Sequence, residues 1–288
     1  SLDEFNLNPN ASYVKIDLLD FNSCKNCTKD MDMVFHLAGI KGSIDVTKSK
    51  PATFFVPLLL MNTNLLEAAR LNKVPELVYT SSIGAYHSDE IFREEESNFE
   101  KLPMDMYPGW AKRMAELQIQ SYKIEHDLKK YYVVRPCNVY GPGDNFDPEN
   151  AMVIPSLLYK IKNNSDIIKV WGDGSAIRDF AYSKDVAKGV LQTMLYGTKN
   201  FDFLNLGSGV GVSIKELIET LSSFLNFEYE FDISKSGGFN RRIMDIKNAK
   251  EIINYNPETT LKEGLQATWN WYCENENEYL KRKNYFKG

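Results

Sequence analysis

The chain has 288 residues, a formal net charge of −5, 43% hydrophobic and 25% charged residues, a globular profile that suits one large domain or two small ones. The acidic balance argues against a nucleic-acid protein, which carries a basic footprint, while leaving room for a local basic patch that binds a phosphorylated ligand. No run approaches the ~18 apolar residues of a membrane span, the polar start SLDEFNLNPN is no signal peptide, and four cysteines make no disulfide framework; the expected setting is reducing and cytoplasmic. In chain order, the first strand candidate is Tyr13–Ile16. Cys24 and Cys27 form a CxxC with no second pair to complete a metal site, so ordinary thiols beside a short helix are expected and no metal. Met33–Leu37 is the next strand, and the run Val34-Phe35-His36-Leu37-Ala38-Gly39 predicts a central strand buried on both faces, with His36 packed in the core. A helix over Pro51–Leu71, a strand over Leu77–Thr80, a helix over Pro108–His126 and a strand over Tyr131–Arg135 follow. Beyond Gly141 the turn-rich stretches Gly141–Asn145 and Asp147–Asn150 change the pattern. Then come a helix (Val153–Lys162), a glycine turn (Trp171–Gly174), a helix (Lys184–Tyr196) and a strand (Phe203–Leu206). The rest is mostly helical: Ser213–Leu225, opened by a Ser213/Glu216 capping box, Asn248–Tyr255 and Leu261–Glu274.

Strands alternating with long amphipathic helices predict an α/β fold, a Rossmann-like doubly wound parallel sheet. Residues 1–144 plus about 178–207 are assigned to it, and about 145–177 plus 208–288 to a smaller substrate-binding lobe. Such a fold opens with a strand and a glycine-rich turn, and no G-x-G-x-x-G precedes the first strand here. Weak NAD(P) binding by the chain as written is the corresponding expectation. Gly207–Gly211 follows a strand too late to be that fingerprint and reads as a turn into the second lobe.

The stretch MYPGWAKR (106–113) pairs a tyrosine with a lysine at one residue more than the four-residue step that keeps two side chains on one helix face. Proline at 108 suits the first helical position and pushes the residue before it out of helical geometry. Tyr107 is thereby expected at the cap, free to swing; either it is a shifted catalytic tyrosine or no such tyrosine is present.

Several segments in order resemble one family: VKIDLLD (14–20), VFHLAGIKGSI (34–44), NTNLLEAA (62–69), VYTSSIGAYH (78–87), GWAKRMAE (109–116), VVRPCNVYGPGDNFDPENAMVIPSLL (133–158), VWGDGSAIRDFAYSKDVA (170–187) and the run from RRIMD to NPETTLKEGL (241–265). Together they are similar to extended short-chain dehydrogenases, the NAD-dependent epimerase/dehydratase family that acts on nucleotide sugars, and most of all to its GDP-fucose synthase branch. The resemblance places about 35 to 40 further residues, with the first strand, glycine loop and second strand, ahead of residue 1.

The resemblance implies hydride chemistry with NAD or NADP at a sugar carbon. Its catalytic group is Ser82, which positions the sugar oxygen, Lys112, which binds the cofactor ribose and favours a phenolate, and Tyr107 if it takes the proton. Asp17 is expected at the adenine; Leu37, Ala38, Gly39, Lys41, Thr80, Lys112, Pro136 and Asn138 are expected to line the cofactor. Asn138, Val153, Arg178 and Arg242 (or Arg241) are expected at the substrate, the arginines as bidentate holders of its diphosphate. Gly84 and Met152 stand where the branch carries proton-transferring side chains, which disfavours 3,5-epimerisation and leaves redox chemistry at C4. His87 and His126 read as structural or exposed. The helices at 51–71 and 108–126 are expected to pair two copies in a homodimer. The competing reading is a non-catalytic relative that binds a nucleotide sugar or a protein partner; no nucleic acid or membrane partner is expected.

Overall fold

The computed structural model describes residues 8–40, 44–163, 167–198, 201–235 and 238–279. Helix α1 (Phe21–Cys27) is capped by the Asp20 carboxylate. Strand β1 (Met33–His36), helices α2 (Ile44–Ser49) and α3 (Pro51–Leu71), and strand β2 (Glu76–Thr80) follow. A single turn at Ile83–Ala85, the short strand β3 (Ile91–Phe92) and a turn at Glu94–Glu96 lead to α4 (Met106–His126). Next come β4 (Tyr131–Pro136), β5 (Asn138–Tyr140), α5 (Val153–Asn163), β6 (Ile168–Trp171), β7 (Ile177–Tyr182), α6 (Ser183–Tyr196), β8 (Leu204–Leu206) and β9 (Gly211–Ser213). The last described elements are α7 (Ile214–Ser222), β10 (Tyr229–Asp232), β11 (Arg241–Met244), α8 (Lys247–Ile253) and α9 (Leu261–Tyr279). The capping box of Ser213 and Glu216 opens α7 as its spacing predicts.

The main sheet has the order β1-β2-β4-β8 and is parallel throughout. All six residues of β4 are buried, the signature of a strand covered on both faces. Helix α3 buries Phe54, Leu58, Met61, Leu65 and Ala68, spaced by threes and fours along one stripe. It has the length and hydropathy of a membrane span, but this stripe packs into the fold against α4 and α1. A second sheet runs β3-β11-β7-β5, with β9 antiparallel to β7, and β6 pairs with β10.

Two expectations change. Residues 13–16 form no strand. Strand β1 is an edge among the described residues, not a central strand: it pairs only with β2 and leaves Met33 and Phe35 open. The apolar run alone could not distinguish these, because hydrophobicity does not record whether a partner strand is present. A second core gathers Tyr140, Phe146, Leu158, Ile218 and Tyr272, while Met244, Ile246, Ala249, Ile253 and Tyr255 pack into the first core with β4 and β8. This stretch, placed in the smaller lobe by the sequence, packs into the first core because α8 lies against α6 and β8.

Candidate active site

Open parallel sheets bind ligands outside the carboxyl ends of their strands, and here Leu37, Ala38, Gly39, Thr80, Ser82 and Pro136 lie at the ends of β1, β2 and β4. Beyond β2, Ser82 is extended (φ −163°, ψ 153°) and caps the turn at Ile83–Ala85; its Oγ accepts from Gly84 N at 3.0 Å. Helix α4 brings Lys112 over this edge. Its Nζ donates to Thr80 O at 2.7 Å and lies 4.9 Å from the centre of the Tyr79 ring. Gly39, beyond β1, faces the same ammonium: a Cβ there would sit 3.8 Å from Nζ. Behind Lys112, Asn62 links the sheet to α3, donating to Tyr79 OH at 3.0 Å and meeting His36 Nε2 at 2.9 Å through Oδ1.

Burial lowers the pKa of Lys112 to about 8, against the opposing pull of Glu116 one turn later. Burial, and then the Lys112 charge, lower His36 to about 3, so it is a neutral core histidine and no base. Thr80 Oγ1 and His36 Nδ1 are buried with no partner. Buried polar atoms normally find one, and an orphan hydroxyl beside a lysine at a strand end suits a ligand rich in hydroxyls and amides. The residues present thus fit a nicotinamide dinucleotide, which Leu37, Ala38, Gly39, Thr80, Lys112 and Pro136 would hold. Pro136 ends β4 in register with Leu206. Asp17 lies in an exposed loop, its carboxylate accepting from Leu19 N. Lys41 lies outside the described residues.

Asn138 is tied down, its amide donating to Asp179 O at 2.9 Å and joining β5 to β7. Val153 opens α5 at the surface. Arg178 and Arg242 are partners in the β7–β11 register. Arg178 donates to Phe239 O at 2.6 Å and braces that loop. The Arg242 guanidinium lies over the Phe239 ring at 3.7 Å, its Nε buried without a partner, as is that of Arg241. Burial lowers Arg242 to about 10. Desolvated guanidinium groups with unused donors are suited to bidentate recognition of phosphate.

Tyr107 is not at a cap. Helix α4 begins at Met106 with Asp105 as its N-cap, so Tyr107 is in the first turn. Five residues at about 100° each place its side chain roughly 140° around the helix from Lys112. Its ring packs edge-on against Phe55 at 6.1 Å and is 44% exposed. Proline at the third helical position costs no hydrogen bond, because the amides of the first turn have no partner within the helix.

Two buried charged groups support the site without having been singled out in the sequence. Glu116 holds Arg135 through two hydrogen bonds, at 2.9 and 2.6 Å, and accepts from Ser81 Oγ beside Ser82. Asp179 accepts from Ser208 N, Ser208 Oγ, Gly209 N and Met244 N, fixing the glycine turn in which Gly209 adopts φ +73°. A charge inside an apolar strand, Arg135 after Val134 or Asp179 before Phe180, was the available signal.

The profile of the NAD dependent epimerase/dehydratase family matches residues 2–207. A probable GDP-L-fucose synthase of rice (Oryza sativa subsp. japonica) is 32% identical over 244 residues, 81% of this chain and 74% of that protein. Among solved structures, a GDP-L-fucose synthetase of Naegleria fowleri bound to NADP is 25% identical with a TM-score of 0.80, covering 91% of this chain and 84% of the other. A UDP-glucose 4-epimerase of Thermotoga maritima with UDP-glucose is 26% identical with a TM-score of 0.79, covering 94% and 87%.

Proposed function

The chain belongs to the NAD-dependent epimerase/dehydratase family, and from that premise we propose an enzyme that epimerises or reduces a nucleotide-diphosphate sugar by hydride transfer at C4. The observation that carries this reading is the buried Lys112 ammonium, held at Thr80 O at the end of the parallel sheet, where Gly39 leaves room beside it. A bound NAD or NADP gives or takes the hydride. Ser82 positions the sugar oxygen. Lys112, at about 8, exchanges a proton near neutral pH, where acid–base groups work best. Arg242, with Arg241 and Arg178 beside it, faces the diphosphate, and Asn138 and Val153 border the sugar.

The placement of Tyr107 against Phe55 supports a site that works without it. Tyr107→Phe is expected to keep kcat within about threefold, whereas loss of a true proton-transfer group costs roughly 100-fold or more. Turnover of UDP- and GDP-linked 4-keto and 4-hydroxy sugars with NAD(H) and NADP(H), followed at the nicotinamide absorbance, tests the function. No turnover of any of them, with sugar nucleotide still bound, would establish the binding-only relative that the absence of a tyrosine at 108 also favours.

We also propose a homodimer through α3 and α4. On these helices Phe54, Leu58, Leu65 and Tyr122 are buried within the chain because α3 and α4 pack on each other and on their neighbours. The exposed apolar residues left to meet a second copy include Val56, Leu60, Met114 and Leu117.

A further inference from the structure

Asp105 is the N-cap of the 21-residue helix α4, with φ −99° and ψ 63°, yet its side chain makes no capping hydrogen bond. An aspartate here ordinarily accepts from the first-turn amides and stabilises its helix. This one is turned the other way, onto Gly84. A methyl group added to Gly84 would lie 2.8 Å from Asp105 Cγ, so the carboxylate fills the space that a side chain at 84 would take. The placement is fixed by the backbone: Asp105 N donates to Gly84 O at 3.2 Å, and Met104 N to Tyr86 O at 2.6 Å. Gly84 N in turn donates to Ser82 Oγ. The Asp105 carboxylate and the Ser82 hydroxyl therefore flank one tight turn at the end of β2.

The carboxylate accepts no hydrogen bond among the described residues. Asp105 is exposed, and its carboxylate lies against Gly84. Desolvation raises its pKa and the Arg242 charge opposes the rise. Arg242 is in the matching position, desolvated, lacking a partner for Nε, and drawn toward its charged form by Asp105. Among the described residues the Asp105 carboxylate has no protein donor, the Arg242 Nε no protein acceptor, and the two charges attract each other. The buried, unpartnered Arg242 Nε does not serve the stability of the fold, since a desolvated donor without a hydrogen bond is a cost.

We propose that Asp105 is the sugar-recognising residue of this site, accepting hydrogen bonds from the ring hydroxyls of the substrate while Arg242 holds its diphosphate. The inference rests on the nucleotide-sugar reading and adds the residue that senses the sugar. Neighbouring ring hydroxyls offer two donors to two carboxylate oxygens, and such charge-assisted bonds are the strong ones. A bare nucleoside diphosphate brings negative charge toward Asp105 and no such donors. Asp105 thus favours the sugar-bearing ligand and disfavours the free nucleotide, a discrimination made by repulsion as well as attraction.

Calorimetric titration of the full chain with UDP-glucose, GDP-mannose, UDP and GDP tests this. Asp105→Ala is expected to weaken binding of the preferred sugar nucleotide about 10- to 100-fold, leaving the matching nucleotide unchanged or tighter. Gly84→Ala displaces the same carboxylate without removing it and is expected to shift the ratio in the same direction. Asp105→Asn keeps one acceptor oxygen and is expected to lie between. Each variant's thermal unfolding is recorded alongside; if Asp105→Ala does not fold, the other two give the ratio. A ratio of sugar nucleotide to nucleotide affinity that stays within twofold of the parent in the folded variants overturns the role of Asp105 and leaves the nucleotide-sugar reading standing. A parent chain that binds none of the four ligands overturns that reading, and the proposal with it.

Discussion

Lys112 pays a structural cost for its position. In the unfolded chain its ammonium persists to about pH 10.5, in the fold only to about 8. Between those values the unfolded chain binds more protons, so stability rises with pH; below about 8 the full penalty of burying the charge is present. Lys112→Met is therefore expected to raise stability at pH 7 by about 1 to 2 kcal/mol in urea denaturation, while lowering kcat/KM by roughly 100-fold or more. A variant that is both less stable and fully active would remove Lys112 from the site. The parent rate should fall above about pH 8 as Lys112 loses its proton. His36 acts in the opposite range. The unfolded chain protonates it below about 6.5, whereas the fold resists down to about 3. Its contribution is whole above pH 6.5 and is lost as the pH falls, by about 2 kcal/mol between pH 6.5 and 5. His36→Gln should flatten the dependence of the urea midpoint on pH over that interval. At this scale the sequence was partly legible: the segments around Ser82 and Lys112 pointed to both residues, and both lie at the carboxyl end of β2. Asp105 was not, since only the bend of the chain before α4 carries it over Gly84.

Helix α4 shows what an element adds to its residues. From one face it presents Lys112 to the strand ends, and four residues later Glu116 to Arg135, so Lys112 and the buried ion pair share one rigid body. The Arg135 guanidinium also lies 3.6 Å from the centre of the Phe203 ring and 4.3 Å from that of Tyr86. Removing one partner of such a pair strands a desolvated charge. Glu116→Gln is expected to cost about 3 to 5 kcal/mol in urea denaturation and to loosen the Ser81–Ser82 strand end. A loss under 1 kcal/mol would mean that Arg135 is satisfied by Ser97 and the aromatic rings alone. The helices themselves were legible because apolar stripes at the 3.6-residue period are strong over long runs. The 13–16 segment misled because a short apolar run has nothing in its own sequence to show that it lacks a partner strand.

Among the described residues two large cores, one under the parallel sheet and one among α5, α7 and α9, are joined by smaller apolar clusters where α3 packs on α4 and on α1. The apolar residues left outside both include the Val56, Leu60, Met114 and Leu117 face. Light scattering at micromolar concentration is expected to give a dimeric mass, and Val56→Glu with Leu117→Glu a monomeric one; a monomeric parent ends the dimer proposal. By itself the sequence determined the α/β class and the order of parallel strands and helices. Those follow from periodicities and motifs that span a few neighbouring residues. Only the tertiary structure decided that β1 stands at an edge, that residues 244–255 return to the first core, that Tyr107 turns toward Phe55, and that Asp105 meets Gly84 and attracts the Arg242 charge. These depend on distances between residues far apart in the chain, set by how helices and strands pack after their own patterns are satisfied.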